Sequence, residues 1–236
     1  QVPQVILTTF GDMIRVPGSQ GSLQQARAQG ADVRVVYSTL DALGIARQNP
    51  ARPVIFMGVG FETTAPATAA AVLQAKKEKL DNFYVLCLHK LTPPATRAIL
   101  DAGKVRLDGV IGPGHVSTII GAQAWDFLPE TYGISCAIAG FEPLDILQAV
   151  HALSQLHENG QPRVTNLYGR SVREQGNPVA LQMLDRVFQI DDSEWRGFGS
   201  IPGSGLTLRA AYAQYDAARA FPVDVPAVGE PKGCRC

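Results

Sequence analysis

The sequence lacks the features that mark several classes of protein. Its 236 residues hold 21 basic and 21 acidic side chains, so the net charge is zero, and no basic run occurs. A nucleic-acid-binding surface is therefore not predicted. No stretch approaches the ~20 consecutive apolar residues of a membrane-spanning helix, and no basic segment followed by an apolar one marks a signal peptide. The high apolar fraction, 46%, also excludes the disordered class.

Cysteine is scarce as well. Cys87 and Cys136 stand alone in apolar runs, and Cys234 and Cys236 lie at the end of the sequence. Four cysteines so placed do not form a disulfide framework, which predicts a cytoplasmic protein. We interpret the first two as inert core thiols, and the last two as at most half of a zinc or iron–sulfur site, which needs ~four ligands. Because the chain starts at Gln1 and stops at a cysteine, we expect a piece of a longer protein.

Common catalytic motifs are missing too. The sequence contains no Gly-x-Ser-x-Gly, no His-Glu-x-x-His and no Gly-x-x-x-x-Gly-Lys-Ser/Thr. A hydrolase or a P-loop protein is therefore not predicted.

What the sequence does contain is a regular alternation of short apolar runs and helical patterns. This alternation predicts an α/β fold, with βαβ units that build parallel sheets with right-handed crossovers. Runs that are apolar at nearly every position are typical of strands covered on both faces. The predicted strands are Val2–Thr9, Ala31–Tyr37, Pro53–Val59, Phe83–His89, Asp108–Ile111 and Ser135–Ala139, and the helices between them are Leu23–Ala28, Leu40–Gln48, Ala65–Lys79, Pro93–Ala102 and Ser117–Leu128.

Local signals also predict where elements begin and end. Ser38 with Asp41 fits a capping box, and Thr92 stands as a helix cap before Pro93. The Asn-Pro and Arg-Pro steps in Asn49–Pro53 predict a linker.

The later part of the chain follows a different pattern. We predict helices at Asp145–His157 and Pro178–Phe188, a strand at Arg163–Tyr168, and packing and turns in the glycine-rich segment Trp195–Gly205. The predicted organisation is residues 1–50 as part of a first α/β lobe, 51–144 as a second lobe, 145–222 as a helix-rich return segment packed on the lobes, and 223–236 as an extended C-terminal tail.

Four constrained loops follow predicted strands, at residues 8–19, 58–66, 112–117 and 139–143. Ligands of open parallel sheets bind beyond the carboxyl ends of the strands, so these loops hold the candidate site. The candidate residues are Asp12, Arg15, Glu62, Thr63, Thr64, His115 and Glu142.

These residues alone leave alternatives open. The Gly-x-Gly turns at 58–60 and 112–114 fit either a phosphate cradle or tight strand-to-helix turns. An α/β enzyme that binds a nucleotide or a small molecule is therefore one hypothesis. His115 fits a ligand contact and a loop support equally well. The three acids fit ligand contacts, but they also fit stabilisation of helix N-termini.

Five motifs, taken together and in order, resemble the HypD family of [NiFe]-hydrogenase maturation proteins, and the resemblance spans essentially the whole chain. The motifs are Thr9-Phe10-Gly11-Asp12-Met13-Ile14-Arg15-Val16-Pro17-Gly18-Ser19, Gly60-Phe61-Glu62-Thr63-Thr64-Ala65-Pro66, Gly112-Pro113-Gly114-His115-Val116-Ser117, Ala139-Gly140-Phe141-Glu142-Pro143 and Asp192-Ser193-Glu194-Trp195-Arg196-Gly197-Phe198-Gly199.

The resemblance implies two Rossmann-like lobes and a C-terminal segment that holds a [4Fe-4S] cluster. It implies a scaffold that acts with HypC and HypE to assemble the Fe(CN)2CO unit of the hydrogenase. The candidate residues would then line or brace a cleft between the lobes. A protein-docking module for HypC and HypE is a further hypothesis, and whether the protein is an enzyme stays open.

The chain also departs from the family pattern. The family's Cys-Gly-Gly-His-Thr-His and Gly-Pro-x-Cys-Pro-x-Cys runs are absent, and His115 stands where the second run has a cysteine. By the resemblance, Cys236 matches the first cysteine of the iron–sulfur segment. We therefore expect this piece to carry supporting loops, to bind neither the [4Fe-4S] cluster nor the iron by itself, and to be inactive alone.

Overall fold

The structure is a computed structural model that describes residues 5–18 and 21–223. Within these residues the predicted α/β alternation is confirmed, and it builds two parallel sheets. A separate antiparallel hairpin accompanies them.

The first sheet has four parallel strands in the order β2-β1-β3-β4. The helices that connect these strands cover the sheet, and β3 is buried along most of its length. Ile6, Phe56 and Val72 are fully buried in the core between the sheet and its helices. The elements are β1 (Ile6–Thr9), α1 (Leu23–Ala28), β2 (Val33–Val35), α2 (Thr39–Gln48), β3 (Val54–Gly60), α3 (Ala65–Glu78) and β4 (Phe83–His89).

The second sheet has three parallel strands in the order β5-β6-β7. All five residues of the central strand are buried, and its core includes Trp125, Leu128 and Ile138. The elements are α4 (Thr92–Asp101), which leads in from the first sheet, then β5 (Gly109–Pro113), α5 (Gly114–Ile120), α6 (Phe127–Tyr132), β6 (Ser135–Ala139), α7 (Pro143–Glu158) and β7 (Val164–Asn166).

The predicted boundary at residues 50 and 51 is wrong, because the first sheet crosses it. Ile6 of β1 pairs with Val54 of β3. The predicted linker Asn49–Pro53 is a turn that Asn82 stabilises. The side-chain amide of Asn82 donates hydrogen bonds to the backbone carbonyls of Ala46, Asn49 and Arg52 at 3.0, 3.0 and 3.1 Å. A proline shows only that a helix or strand ends locally. It does not show a boundary between lobes, because strands on either side of it can pair in one sheet.

The return segment 145–222 is less helical than predicted. It supplies β7 to the second sheet, and the segment Trp195–Gly205, predicted as turns, belongs to a hairpin. Phe188 and Leu206 of this hairpin enter the core of the first sheet. Its strands were missed because one is mostly polar and exposed and the other is interrupted by glycines. The elements are α8 (Pro178–Val187), β8 (Phe188–Trp195), β9 (Gly199–Leu208) and α9 (Ala217–Ala220).

The single helix predicted at Ser117–Leu128 is divided in the structure. α5 ends at Ile120, a 3-10 turn follows at Gln123–Trp125, and α6 comes next. The break lies at Gly121, whose φ of +91° does not continue a helix.

Two of the predictions fall outside the described residues. The tail 223–236 lies there except for its first residue, and so does Cys236. In the part of the chain that is described, no helix is long and apolar enough to cross a membrane.

Candidate functional site

Two of the motif loops meet at the carboxyl edge of the first sheet. β1 and β3 are adjacent and parallel, so the loops after them lie on the same side. Asp12 and Arg15 are exposed in the 3-10 turn Gly11–Arg15. Thr63 is exposed, and half-buried Thr64 donates its hydroxyl to the carbonyl of Phe61. This edge therefore presents an acid, a base and a hydroxyl to solvent.

Glu62, the second acid predicted for these two loops, is not exposed at this edge. It is 2% exposed, and its Oε1 accepts hydrogen bonds from the Thr92 backbone N–H at 2.7 Å and the Thr92 hydroxyl at 3.1 Å. Thr92, predicted as a cap, is instead the first residue of α4 and uses Glu62 as its acceptor. Burial raises the pKa of Glu62 above the usual carboxyl range.

Substitutions at Glu62 should separate its capping contact from its charge. We expect Glu62→Ala to lower the free energy of unfolding by about 1–3 kcal/mol, because it leaves the two Thr92 donors without their acceptor. Glu62→Gln keeps an acceptor oxygen and should cost less. Urea denaturation at pH 7 measures both. Equal losses in the two variants would contradict the capping role.

The other two motif loops meet at the carboxyl edge of the second sheet. His115 lies in the first turn of α5, and its ring stands edge-on to Phe141 at a centroid distance of 4.7 Å. The Tyr168 ring is 6.3 Å away, and the Arg170 guanidinium lies 4.3 Å from the centroid of the Tyr168 ring. His115 is thus an exposed imidazole supported by aromatic rings from two other segments.

Next to this histidine the structure reveals an ion pair that the sequence analysis missed. Asp145, which is buried, accepts two hydrogen bonds from Arg170, at 2.9 and 2.6 Å. Exposed Glu142 lies 3.5 Å from the same guanidinium. Arg170 holds the pKa of Asp145 below the usual carboxyl range. The only signal in the sequence was the position of Asp145, directly after the Gly140-Phe141-Glu142-Pro143 motif.

Close approach explains the glycines of these loops. A Cβ on Gly140 would collide with the Asp145 carboxylate, and one on Gly114 would collide with the Ala139 carbonyl. At the first sheet, a Cβ on Gly58 would lie 3.2 Å from Nε2 of His89. These contacts favour tight packing over a phosphate cradle as the reason for the Gly-x-Gly turns.

His89 was predicted to make ordinary loop hydrogen bonds, but it is one of the largest fully buried side chains. Its Nε2 lies 3.1 Å from the Thr68 hydroxyl. Burial lowers the pKa of His89 to about 4, so the imidazole is neutral at pH 7. By contrast, His151 and His157 are exposed on α7, as predicted.

The described residues do not fit an iron–sulfur cluster. Cys87 lies in β4 and Cys136 in β6, strands of different sheets. Burial raises the pKa of each thiol to about 12, which disfavours the reactive thiolate. Cys136 is a buried core thiol, as predicted, whereas Cys87 is only half-buried. Over residues 5–18 and 21–223, no three His, Cys, Asp or Glu side chains come close enough to hold a metal ion.

Together these features define a class: an α/β protein with two parallel sheets, whose polar motif loops gather at the carboxyl edges in two groups. Asp12, Arg15, Thr63 and Thr64 form the first group, and His115 and Glu142 form the second, with Glu62 buried beneath the first.

Comparison with known proteins agrees with this class. The HypD family model, described as "Hydrogenase formation hypA family", matches residues 1–236. The chain is 51% identical over 239 residues to the "Hydrogenase maturation factor HypD" of Rhodobacter capsulatus, covering 99% of this chain and 63% of the relative. It is 47% identical to proteins of that name from Azotobacter vinelandii and Escherichia coli (strain K12), covering 99% and 93% of this chain and 64% and 59% of theirs.

The chain belongs to the HypD family. The recognition based on the five motifs is thereby confirmed. The chain spans less than two thirds of the length of the relatives named above.

Proposed function

We propose that this chain is the scaffold part of a hydrogenase maturation protein that acts with HypC and HypE to assemble the Fe(CN)2CO unit. The observation that carries the proposal is the gathering of four family motifs at the carboxyl edges of two parallel sheets. The names of the relatives, all hydrogenase maturation factors, support the same role.

The cargo in this proposal is an iron unit with cyanide ligands. The loops offer the chemistry that an anionic group requires. Arg15 is an exposed cation at the edge of the first sheet. α3 and α7, of 14 and 16 residues, begin at the last residues of two of the motifs, and the backbone N–H groups at such N-termini favour anions. The chain's own residues would therefore bind and orient the unit, with His115 as an additional exposed hydrogen-bonding group.

The cysteines that hold iron would come from outside the described residues. Cys236 would be a ligand of the [4Fe-4S] cluster in the longer protein. The scaffold proposal thus assigns binding and orientation to the described residues, and metal ligation to Cys236 and to segments of the longer protein outside this chain.

A substitution at Arg15 tests the scaffold proposal. We expect Arg15→Ala in the full-length protein to reduce hydrogenase activity at least ~tenfold in cells that depend on it, because the iron unit loses a cationic contact. Arg27→Ala, at another exposed arginine, on α1, is the matched control and should leave activity unchanged. The infrared bands of iron-bound cyanide and carbon monoxide, recorded on the full-length protein purified without oxygen with HypC, should weaken in parallel.

Two outcomes would contradict the proposal. One is full activity and full infrared bands in Arg15→Ala. The other is the absence of these bands from the unsubstituted complex, which would show that the iron unit is not assembled there.

A further inference from the structure

The fifth motif, residues 192–199, reaches the carboxyl edge of the first sheet through the hairpin of β8 and β9. The hairpin is attached where β4 ends, because Lys90 forms a β-bridge with Gly205 of β9. The backbone N–H of Lys90 also donates to the carbonyl of Gly60, the last residue of β3, at 2.9 Å. The fifth motif therefore lies beside the loop that follows β3.

The side chain of Lys90 contacts three consecutive residues of this motif. Its Nζ donates hydrogen bonds to the Ser193 hydroxyl and, at 2.6 Å, to the Glu194 backbone carbonyl. The same ammonium group lies 5.8 Å from the centroid of the Trp195 ring, within the ~6 Å of a cation–π contact. Lys90 is half-buried, so these contacts compensate the ammonium group for lost water and attach the motif to this edge.

Trp195 is held by two more contacts. Its Nε1 donates to the hydroxyl of Ser204 at 2.7 Å, and Ser204 is fully buried. Its ring lies 6.3 Å from the ring of Phe61, with the two planes tilted by 33°. Contacts with a cation, a hydroxyl and a second ring together fix the orientation of Trp195, so Trp195 in turn restricts the position of Phe61.

Phe61 connects this cluster to the site, because its backbone carbonyl forms the turn that begins α3. The carbonyl accepts hydrogen bonds from the backbone N–H groups of Thr64 and Ala65 at 3.1 and 3.2 Å. It also accepts one from the Thr64 hydroxyl at 3.2 Å. Exposed Thr63 lies inside this turn. A displacement of Phe61 would therefore move both threonines.

We propose that Lys90 is a positioning residue of the first group of site residues. Through Trp195 and Phe61 it holds Thr63 and Thr64 in the arrangement that binds the iron unit. The identity of the ligand rests on the proposed function, whereas the coupling between Lys90 and the threonines rests on the contacts described above. A misplacement of binding groups by about 1 Å can cost ~100-fold in rate, so a residue that does not touch the ligand can still control its assembly.

NMR of the ¹⁵N-labelled chain tests the coupling, because its two tryptophans give two separate indole signals. We expect Lys90→Met, which removes the charge, to shift the indole signal of Trp195 and the amide signals of Thr63 and Thr64. The indole signal of Trp125, which is buried in the core of the second sheet, should not move. Lys90→Arg should restore the original signals of the two threonines. Unchanged threonine signals in Lys90→Met would overturn the inference, whatever the outcome for the scaffold proposal.

Hydrogenase activity in cells that depend on the full-length protein tests the positioning role. Lys90→Met should lower this activity at least ~tenfold, and Lys90→Arg should retain most of it. Lys76→Met is the matched control, because Lys76 Nζ also lies over a ring, 4.6 Å from the centroid of Tyr212, and donates to the Ala211 carbonyl. Lys76 is in the last turn of α3, at the opposite end from the motif, so the control should leave activity and all three signals unchanged.

A second variant covers the case in which Lys90→Met does not fold. Phe61→Leu, at a ring that is 42% exposed, should shift the signals of Thr63 and Thr64 and lower activity at least ~tenfold. Shifted signals with full activity in either folded variant would overturn the positioning role, while Arg15→Ala would still decide the scaffold proposal. If the infrared bands are absent from the unsubstituted complex, the scaffold proposal fails, and the threonine signals still decide the coupling.

Discussion

Gly121→Ala is expected to lower the free energy of unfolding by about 2–6 kcal/mol. Gly121 has a φ of +91°, which costs an L residue about 1–3 kcal/mol. In addition, its Cβ would collide with the backbone carbonyl of Glu174 and lie 2.6 Å from the backbone nitrogen of Gly176. Backbone cannot rotate away as a flexible side chain can, so overpacking adds about 1–3 kcal/mol. Urea denaturation monitored by circular dichroism measures the loss.

Gly133→Ala is the matched control for this substitution. Gly133 also has a positive φ, +66°, but a Cβ there would meet nothing within 4 Å. This variant should lose only the conformational part, about 1 kcal/mol. Similar losses of unfolding free energy in both variants would show that the backbone around Gly121 is not closely packed against the backbone of Gly176.

The second large effect is a loss of stability in acid caused by His89. Its folded-state pKa of about 4 lies below its ordinary value of 6.5, so the unfolded chain takes up the proton first. The stabilisation is complete above pH 6.5 and is lost as the pH falls through the folded-state value. The difference of about 2.5 pKa units corresponds to about 3 kcal/mol at pH 4.

The measurement is the free energy of unfolding between pH 7 and pH 4 for the unsubstituted chain and for His89→Gln. The variant should lose about 3 kcal/mol less across this range, because it carries no imidazole at this position. His151→Gln, at an exposed histidine of α7, should follow the unsubstituted chain. If the free energy of unfolding fell equally with pH in all three proteins, His89 would not be the cause of the loss of stability in acid.

Glu62 acts in the opposite direction. Its folded-state pKa is raised, so its contribution is complete at pH values below the ordinary carboxyl value and is lost as the pH rises through the raised value. Protonation of His89 therefore lowers the free energy of unfolding in acid, whereas ionisation of Glu62 lowers it as the pH rises above the ordinary carboxyl range. Comparing Glu62→Gln with His89→Gln separates them.

Much of the site was predicted at the level of loops rather than contacts. The exposed candidates Asp12, Arg15 and Thr63 lie on the loops where the motifs placed them. Glu62 belongs to the same motif as Thr63, yet it points inward to Thr92, 30 residues away. Nothing in the motif distinguishes an inward from an outward side chain, because that depends on what packs above the loop.

The Asp145–Arg170 pair shows the same limit. The two residues lie 25 positions apart, and neither has a neighbour in sequence that reveals its partner. The sequence showed a glycine at position 140, but not why it is needed there. The structure gives the reason, because a side chain at Gly140 would collide with the Asp145 carboxylate. The local sequence thus predicted a constrained loop, but it did not predict which side chains make contact there.

By itself the sequence determined the α/β class, most element boundaries and the family. Apolar runs indicate strands that are buried on both faces, and local signals such as the Ser38–Asp41 capping box act within one turn of a helix. Only the tertiary structure showed which strands pair across residue 50 and that a mostly polar segment forms a hairpin. It also showed that the Glu62 side chain points inward and that His89 is buried. These features depend on contacts between segments tens of residues apart, such as the Thr8 hydroxyl on the Ile55 carbonyl, and periodicity within a segment carries no information about its partner.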